Sequence, residues 1–230
     1  QEAFERQQVL LEAFIPGPEV AVEALLKLGK LQILAVFDKP DLMNGPYFEE
    51  TYYVAPSRVS AVLLARIESR LAECCAAYGL TEGPIHAEFR LHQEDAWLLE
   101  LAARTIGGEC ARLVELYSGS SLETLVIQNA LGMRSEANRA THSVGVLMIP
   151  IPRAGLLRRV EGVLKASQIT YIEHLEISVR AGYELVPLPE GNSYLGFIFA
   201  RAPSPELTEQ ALRQAHGCLT IVTTPLLAVV

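Results

Sequence analysis

Residues 83–108 read GPIHAEFRLHQEDAWLLELAARTIGG. Two apolar-framed runs, Ile85 to Arg90 and Ala96 to Leu101, are joined by the polar quartet His92-Gln93-Glu94-Asp95, a pattern that predicts two antiparallel strands around a tight turn. In the direct register Glu88 and Glu100 fall beside each other on neighbouring strands, each among residues suited to a core. Two carboxylates so placed in a half-buried sheet must either raise a pKa or find a cation. A hard divalent ion is the natural compensator, because Mg²⁺ takes one or two carboxylates and keeps its other positions for water and phosphate oxygens. Arg104, on the segment leaving the second strand, stands where it can meet a phosphate or carboxylate bidentately. Gly107-Gly108 then lets the backbone approach a ligand or turn into a helix. The competing reading is a solvated sheet face on which Arg104 pairs with one of the acids.

Toward the N-terminus, Val9 to Ile15 reads as a strand stopped by Pro16-Gly17-Pro18. Glu19 to Leu26 and Leu31 to Lys39, turned at Gly29, extend it into a three-stranded meander. Asp41 to Tyr47 is a loop dense in turn formers. Pro56-Ser57 is expected to open a helix with Ser57 as cap; Val59, Val62, Leu63, Ile67, Leu71 and Cys75 recur at helical spacing until Gly79. Beyond the hairpin, Gly108 to Tyr117 and Leu122 to Leu131 read as two short helices. The aperiodic polar stretch Arg134 to His142 marks a boundary, dividing the chain into units 1–133 and 134–230. The second unit is expected to be mostly short strands (Val144 to Ile151, Leu156 to Leu164, Leu175 to Val179, Leu185 to Pro187, Gly191 to Ala200) and one helix from Ser204-Pro205-Glu206 to Leu219. The class is α+β.

The 230 residues, half of them hydrophobic, suffice for one large or two small cores. A formal net charge of -8, with no basic stripe, argues against a nucleic-acid partner. No apolar run reaches membrane-spanning length, so no membrane partner is expected. The four cysteines lack metal spacing and read as reduced, which fits a cytoplasmic protein. His142, His174 and His216 each stand alone, without a second ligand at helical spacing.

The hairpin resembles the magnesium-binding core of the ATP-grasp ligases, and most of all that of the bacterial amino-acid ligases. The resemblance implies an ATP-grasp C-terminal subdomain followed by a small β-rich lid domain similar to that of biotin carboxylase. It implies ATP and Mg²⁺ (or Mn²⁺) as cofactors, with Glu88 and Glu100 as metal ligands and Arg104 as the catalytic arginine on the reacting phosphate. The stretch Leu10 to Glu19 is similar to the family's nucleotide hinge, which would put Glu12 and Ile15 at the adenine and Glu19 at the ribose hydroxyls. By residue type alone Glu12 and Glu19 are solvated strand acids. Glu50, Tyr53, Gly107 and Gly108 correspond to substrate positions. Two departures stand out: Ala102 where the family has a metal-binding Asn, and Tyr53 where it has a histidine. The implied activity joins a small-molecule carboxylate to an amine through an acyl phosphate. The lysines and glycine-rich flap that cover the phosphates are not legible here, so the chain is expected to be a fragment, or a half working with an N-terminal region in cis or trans. The alternative is a non-catalytic interaction module derived from this family. A homodimer stays open.

Overall fold

The two-residue turn Gln93-Glu94, both at positive φ (51° and 58°), closes the hairpin with the twist a tight turn requires. It joins strand β4 (Gly83–His92) to β5 (Asp95–Ala102). A computed structural model describes residues 11–41, 50–133, 141–191 and 193–225. Strands β1 (Glu19–Lys27) and β2 (Lys30–Lys39) pair around Leu28-Gly29, and β4 pairs with the other side of β1. The first sheet continues through β3 (Tyr52–Ala55), β6 (Ser143–Ile149), β10 (Gly196–Ala202) and β8 (Ile172–Ile177), in the order β5-β4-β1-β2-β3-β6-β10-β8. All its pairings are antiparallel. The sheet therefore crosses the boundary expected at residue 134 through β3 and β6. A second sheet of three strands, β11-β7-β9, is made by β7 (Gly155–Glu161), β9 (Glu184–Leu185) and β11 (Thr220–Thr224).

Strand β1 is buried on both faces, which is why its sequence is a near-continuous apolar run. On one side Val20, Val22 and Leu26 meet Ile67 and Leu71 of helix α1 (Ala61–Ala77). On the other, Ala21 and Leu25 meet Leu113 and Leu125 of helices α2 (Cys110–Ser118) and α3 (Leu122–Ala130). Each fully buried Val, Leu or Ile side chain among them contributes roughly 1.5–3 kcal/mol. A separate cluster, with Leu147, Ile149, Leu157, Ile198 and Leu212, packs β6 and β10 against helix α5 (Pro205–Gly217). The short helix α4 (Val163–Ser167) follows β7.

Several expectations need correction. Residues 11–16 form no strand, and Leu11 and Phe14 are exposed; the prolines on either side of Gly17 leave that segment unable to complete a ladder. Gly17 itself, at φ +121°, approaches Leu91 so closely that a Cβ would lie 2.1 Å from its carbonyl oxygen. Helix α1 is capped by Ser60, whose side chain accepts from the Leu63 amide, while the Ser57 hydroxyl is spent on Asp38. The strand expected over Leu156 to Leu164 ends at Gly162 (φ +83°), where α4 begins. β3 and β11 are strands that periodicity did not reveal. Most of the Asp41 to Tyr47 loop, Glu49 and the Arg134 boundary stretch lie outside the described residues.

Candidate functional site

Alternation along β4 puts His86, Glu88 and Arg90 on one face, and β1 and β2 bring Glu19, Glu23 and Lys39 to the same face. At their centre the buried Lys39 Nζ donates to Glu19 Oε1 at 2.7 Å, Glu50 Oε1 at 2.5 Å and Glu88 Oε1 at 2.8 Å. Burial disfavours its charge, but Glu50, Glu88 and Glu19 outweigh that and hold the ammonium above its ordinary range. Oxygens of Glu19, Glu50 and Glu88 all lie within 4.8 Å of one another. Without the ammonium between them, three carboxylates could not converge so closely.

A second tier surrounds this trio. Arg90 Nε donates to Glu19 Oε2 at 3.2 Å, and its Nη1 to the Ile15 carbonyl at 2.8 Å. His86 lies 3.6 Å from both Glu23 Oε2 and Glu88 Oε1. These are ion pairs beyond hydrogen-bond length. Burial lowers the His86 pKa, yet Glu23 and Glu88 prevail and push it up to about 9, so the imidazolium is charged at neutral pH. Against its own burial, Glu88 is pulled down to about 2 by His86 and Lys39. Glu23 is fully buried and its carboxyl is raised by that burial; Oε2 accepts the Ile106 amide at 3.1 Å, while Oε1 has no hydrogen-bond partner among the described residues. Tyr53 Oη donates to Glu50 Oε2 at 2.6 Å, and burial, then Glu50, keeps the phenol neutral.

Two recesses open on this cluster and share Glu50 and Glu88. One, of about 220 Å³, is lined by Phe14, Ile15, Glu19, Arg90 and Leu99. The other, of about 230 Å³, is lined by Tyr53, His86, Glu100, Arg104, Gly107 and Gly108, with Cys110 and Met148 behind them. Gly108, at φ +61°, turns the chain into α2. Burial pushes the Cys110 thiol far up, so it is a packing group.

Every candidate residue except Glu12 lies on one or both recesses; Glu12 is exposed and lines neither. Glu100 pairs with Glu88 in the ladder, as expected. Its carboxylate, however, is 56% exposed and lies 3.5 Å from Arg104, outside the trio that Glu88 makes with Glu19 and Glu50. Lys39, His86, Glu23 and Arg90 were not singled out from the sequence. The i, i+2, i+4 spacing of His86, Glu88 and Arg90 was a usable signal; Lys39 had none.

Residues 1–112 match the ATP-grasp domain family, so the first half of the chain carries an ATP-grasp domain. Residues 147–224 match the L-amino acid ligase C-terminal domain 2. The L-amino acid ligase of Bacillus licheniformis superposes with a TM-score of 0.82 at 28% identity, over 92% of this chain and 53% of that one. An uncharacterized protein of Sinorhizobium fredii is 23% identical over 213 residues, 90% of this chain and 43% of its own length. The biotin carboxylase domain of Hydrogenobacter thermophilus 2-oxoglutarate carboxylase, solved with MgADP and bicarbonate, shares the fold (TM-score 0.65, 17% identity, 90% of this chain, 46% of that one). The chain thus spans about half the length of these relatives. Among the described residues no helix is long and apolar enough to cross a membrane.

Proposed function

We propose that this chain is the C-terminal, nucleotide-binding part of an ATP-dependent carboxylate–amine ligase. The observation that carries the reading is the Glu19-Glu50-Glu88 cluster, placed between two recesses that share Glu50 and Glu88. A nucleotide would lie across it, adenine toward Phe14, Ile15 and Leu99, ribose toward Glu19, and phosphates toward Lys39 and Arg104. The donor set suits a hard cation, being all carboxylate oxygen. Glu88 would hold Mg²⁺ with Glu100, which lines the same recess, or with Glu19 and Glu50. When bound, the ion neutralises charge on the phosphate oxygens.

In the reaction, the substrate carboxylate oxygen forms a bond to the γ-phosphorus as the β–γ bridging bond breaks, releasing ADP. The amine then bonds to the acyl carbon, the carbon–oxygen bond to phosphate breaks, and the amine gives up a proton. Arg104 would stabilise the transferring oxygens through paired N–H donors. Tyr53, neutral and bound to Glu50, would donate only a hydrogen bond. Gly107 and Gly108 would leave room for substrate beside it. The missing part of the ATP-grasp fold would come in cis or in trans. Four free cysteines among the described residues support a cytoplasmic setting.

Calorimetric titration of the chain with ADP and Mg²⁺ tests the nucleotide reading. Glu88→Gln is expected to weaken binding at least about tenfold, as loss of a charged contact does; unchanged affinity in that variant would remove Glu88 from the site. Ala102 and the neutral Tyr53 favour a second reading, a non-catalytic module. ADP release by the whole protein in the presence of amino acids would exclude it.

A further inference from the structure

On the face of the sheet that carries both α2 and the carboxylate cluster, a cavity of about 700 Å³ opens between α2 and β10. It shares no residue with the two recesses above. Arg112 and Arg201 both line it, with His142, Tyr117 and Ser118. The Arg112 guanidinium lies 4.3 Å from the centre of the fully buried Phe199 ring, a stacking that fixes its plane and leaves its N–H edge to hydrogen-bond outward. Among the described residues that guanidinium makes no hydrogen bond and no ion pair. Among the described residues Arg201 Nε is buried without a hydrogen-bond partner, and its one ion pair there, to Glu173 Oε1, is 3.6 Å long. The acid on the lining is Glu115, which is exposed. A preorganised guanidinium and a second one short of acceptors, facing one cavity, form an acceptor-poor fork pair matched to an oxyanion.

We propose that the Arg112–Arg201 cavity is a second anion site, taking a phosphate or carboxylate group independently of the nucleotide cleft. A ligand that binds only the folded state raises its melting temperature, so thermal unfolding of the whole chain at constant ionic strength tests the assignment. Inorganic phosphate or succinate is expected to raise the midpoint where chloride does not. A rise with phosphate alone identifies a phosphate site, and one with succinate alone a carboxylate site. Arg104→Met, which removes a cation of the nucleotide cleft, is expected to keep the rise. The double variant Arg112→Met with Arg201→Met is expected to lose it, and Arg112→Lys, which keeps charge but not the fork, to weaken anion affinity about tenfold. Should the double variant fail to fold, Arg112→Gln alone carries the comparison. No rise with either anion, or a rise in the Arg112 and Arg201 variants equal to that of the wild type, overturns the proposal.

Discussion

Two groups of close ion pairs tie this molecule together, and they differ in solvation far more than in distance. Around Lys39 the contacts run from 2.5 to 2.8 Å, with the lysine side chain 3% exposed. Where α5 meets the end of β2, Arg213 reaches Asp41 at 2.5 Å and Glu209 at 2.9 Å, while Arg58 reaches Asp38 at 2.6 Å and Glu209 at 2.9 Å. There the arginine side chains are 42% and 36% exposed. Water reaches the arginines of the second group and weakens their pairs, although Asp38 and Glu209 are only 11% and 19% exposed. The first is held in a medium where removing one charge strands the rest. A fold does not need such a cluster for stability, since a packed apolar core serves as well. Its place beside two recesses is what makes it the centre of the proposed nucleotide site.

Lys39→Met breaks the comparison most severely. It leaves Glu19, Glu50 and Glu88 facing one another with no central cation, and the expected loss is about 3–5 kcal/mol, read from urea unfolding at neutral pH. Acidification should recover part of it as the carboxylates take up protons. A loss below about 1 kcal/mol, the range of exposed pairs, would mean that the buried group is screened like the exterior one.

The buried group should also dominate the dependence of stability on pH. His86 is raised from 6.5 to about 9, so its contribution is full below pH 6.5 and is lost as pH climbs through 9. Glu88 is lowered from 4.5 to about 2, so its contribution is present above 4.5 and vanishes as pH falls toward 2. Each limb is worth at most about 3 kcal/mol. Glu23, its carboxyl raised by burial, acts in the opposite sense to Glu88: its contribution is full below pH 4.5 and is lost as pH rises above that, because its ionised form is the costly one in the folded chain. His86→Gln is expected to flatten the alkaline limb and leave the acid limb in place; a wild-type profile already flat between pH 6.5 and 9 contradicts the imidazolium.

A smaller effect belongs to the screened group. Arg213→Ala removes two ion pairs and the stacking on Tyr52, 4.4 Å from guanidinium to ring centre. About 1 kcal/mol is expected, mostly from the stacking. Salt separates the parts: the ionic share should shrink between low and high ionic strength while the rest persists.

The contrast also explains what could be read in advance. The β4–β5 hairpin was legible because strand period and turn chemistry are local, and they fix the register that pairs Glu88 with Glu100. The segment before Pro16 was misread because its apolar run has the composition of a strand and nothing local says that no neighbour will pair with it. Helix α1 was placed correctly but capped at the wrong serine, since Ser57 and Ser60 are equally suited by type and only the distant Asp38 decides between them. Lys39 was missed for the deeper reason that its partners come from β1, β4 and the segment before β3; charge compensation is a property of the assembled sheet. His86, two residues from Glu88, was within reach of the alternation rule.

Glu100 tests where the boundary between the two groups falls. It stands opposite Glu88 in the ladder yet pairs with Arg104 in a contact where both side chains are more than half exposed. Glu100→Gln should change unfolding free energy by no more than about 0.5 kcal/mol, as other exposed pairs do. Its effect on binding is a separate matter, because an exposed carboxylate at the rim of a recess can become a ligand once a cation and phosphates exclude water from it. If Glu100 completes the metal site, the variant should weaken ADP binding in the presence of Mg²⁺ and leave metal-free ADP binding unaltered. If both affinities stay at wild-type values, the cation belongs to Glu88 with Glu19 and Glu50. In that case Lys39 has to move when the metal enters, because its ammonium lies among the same oxygens.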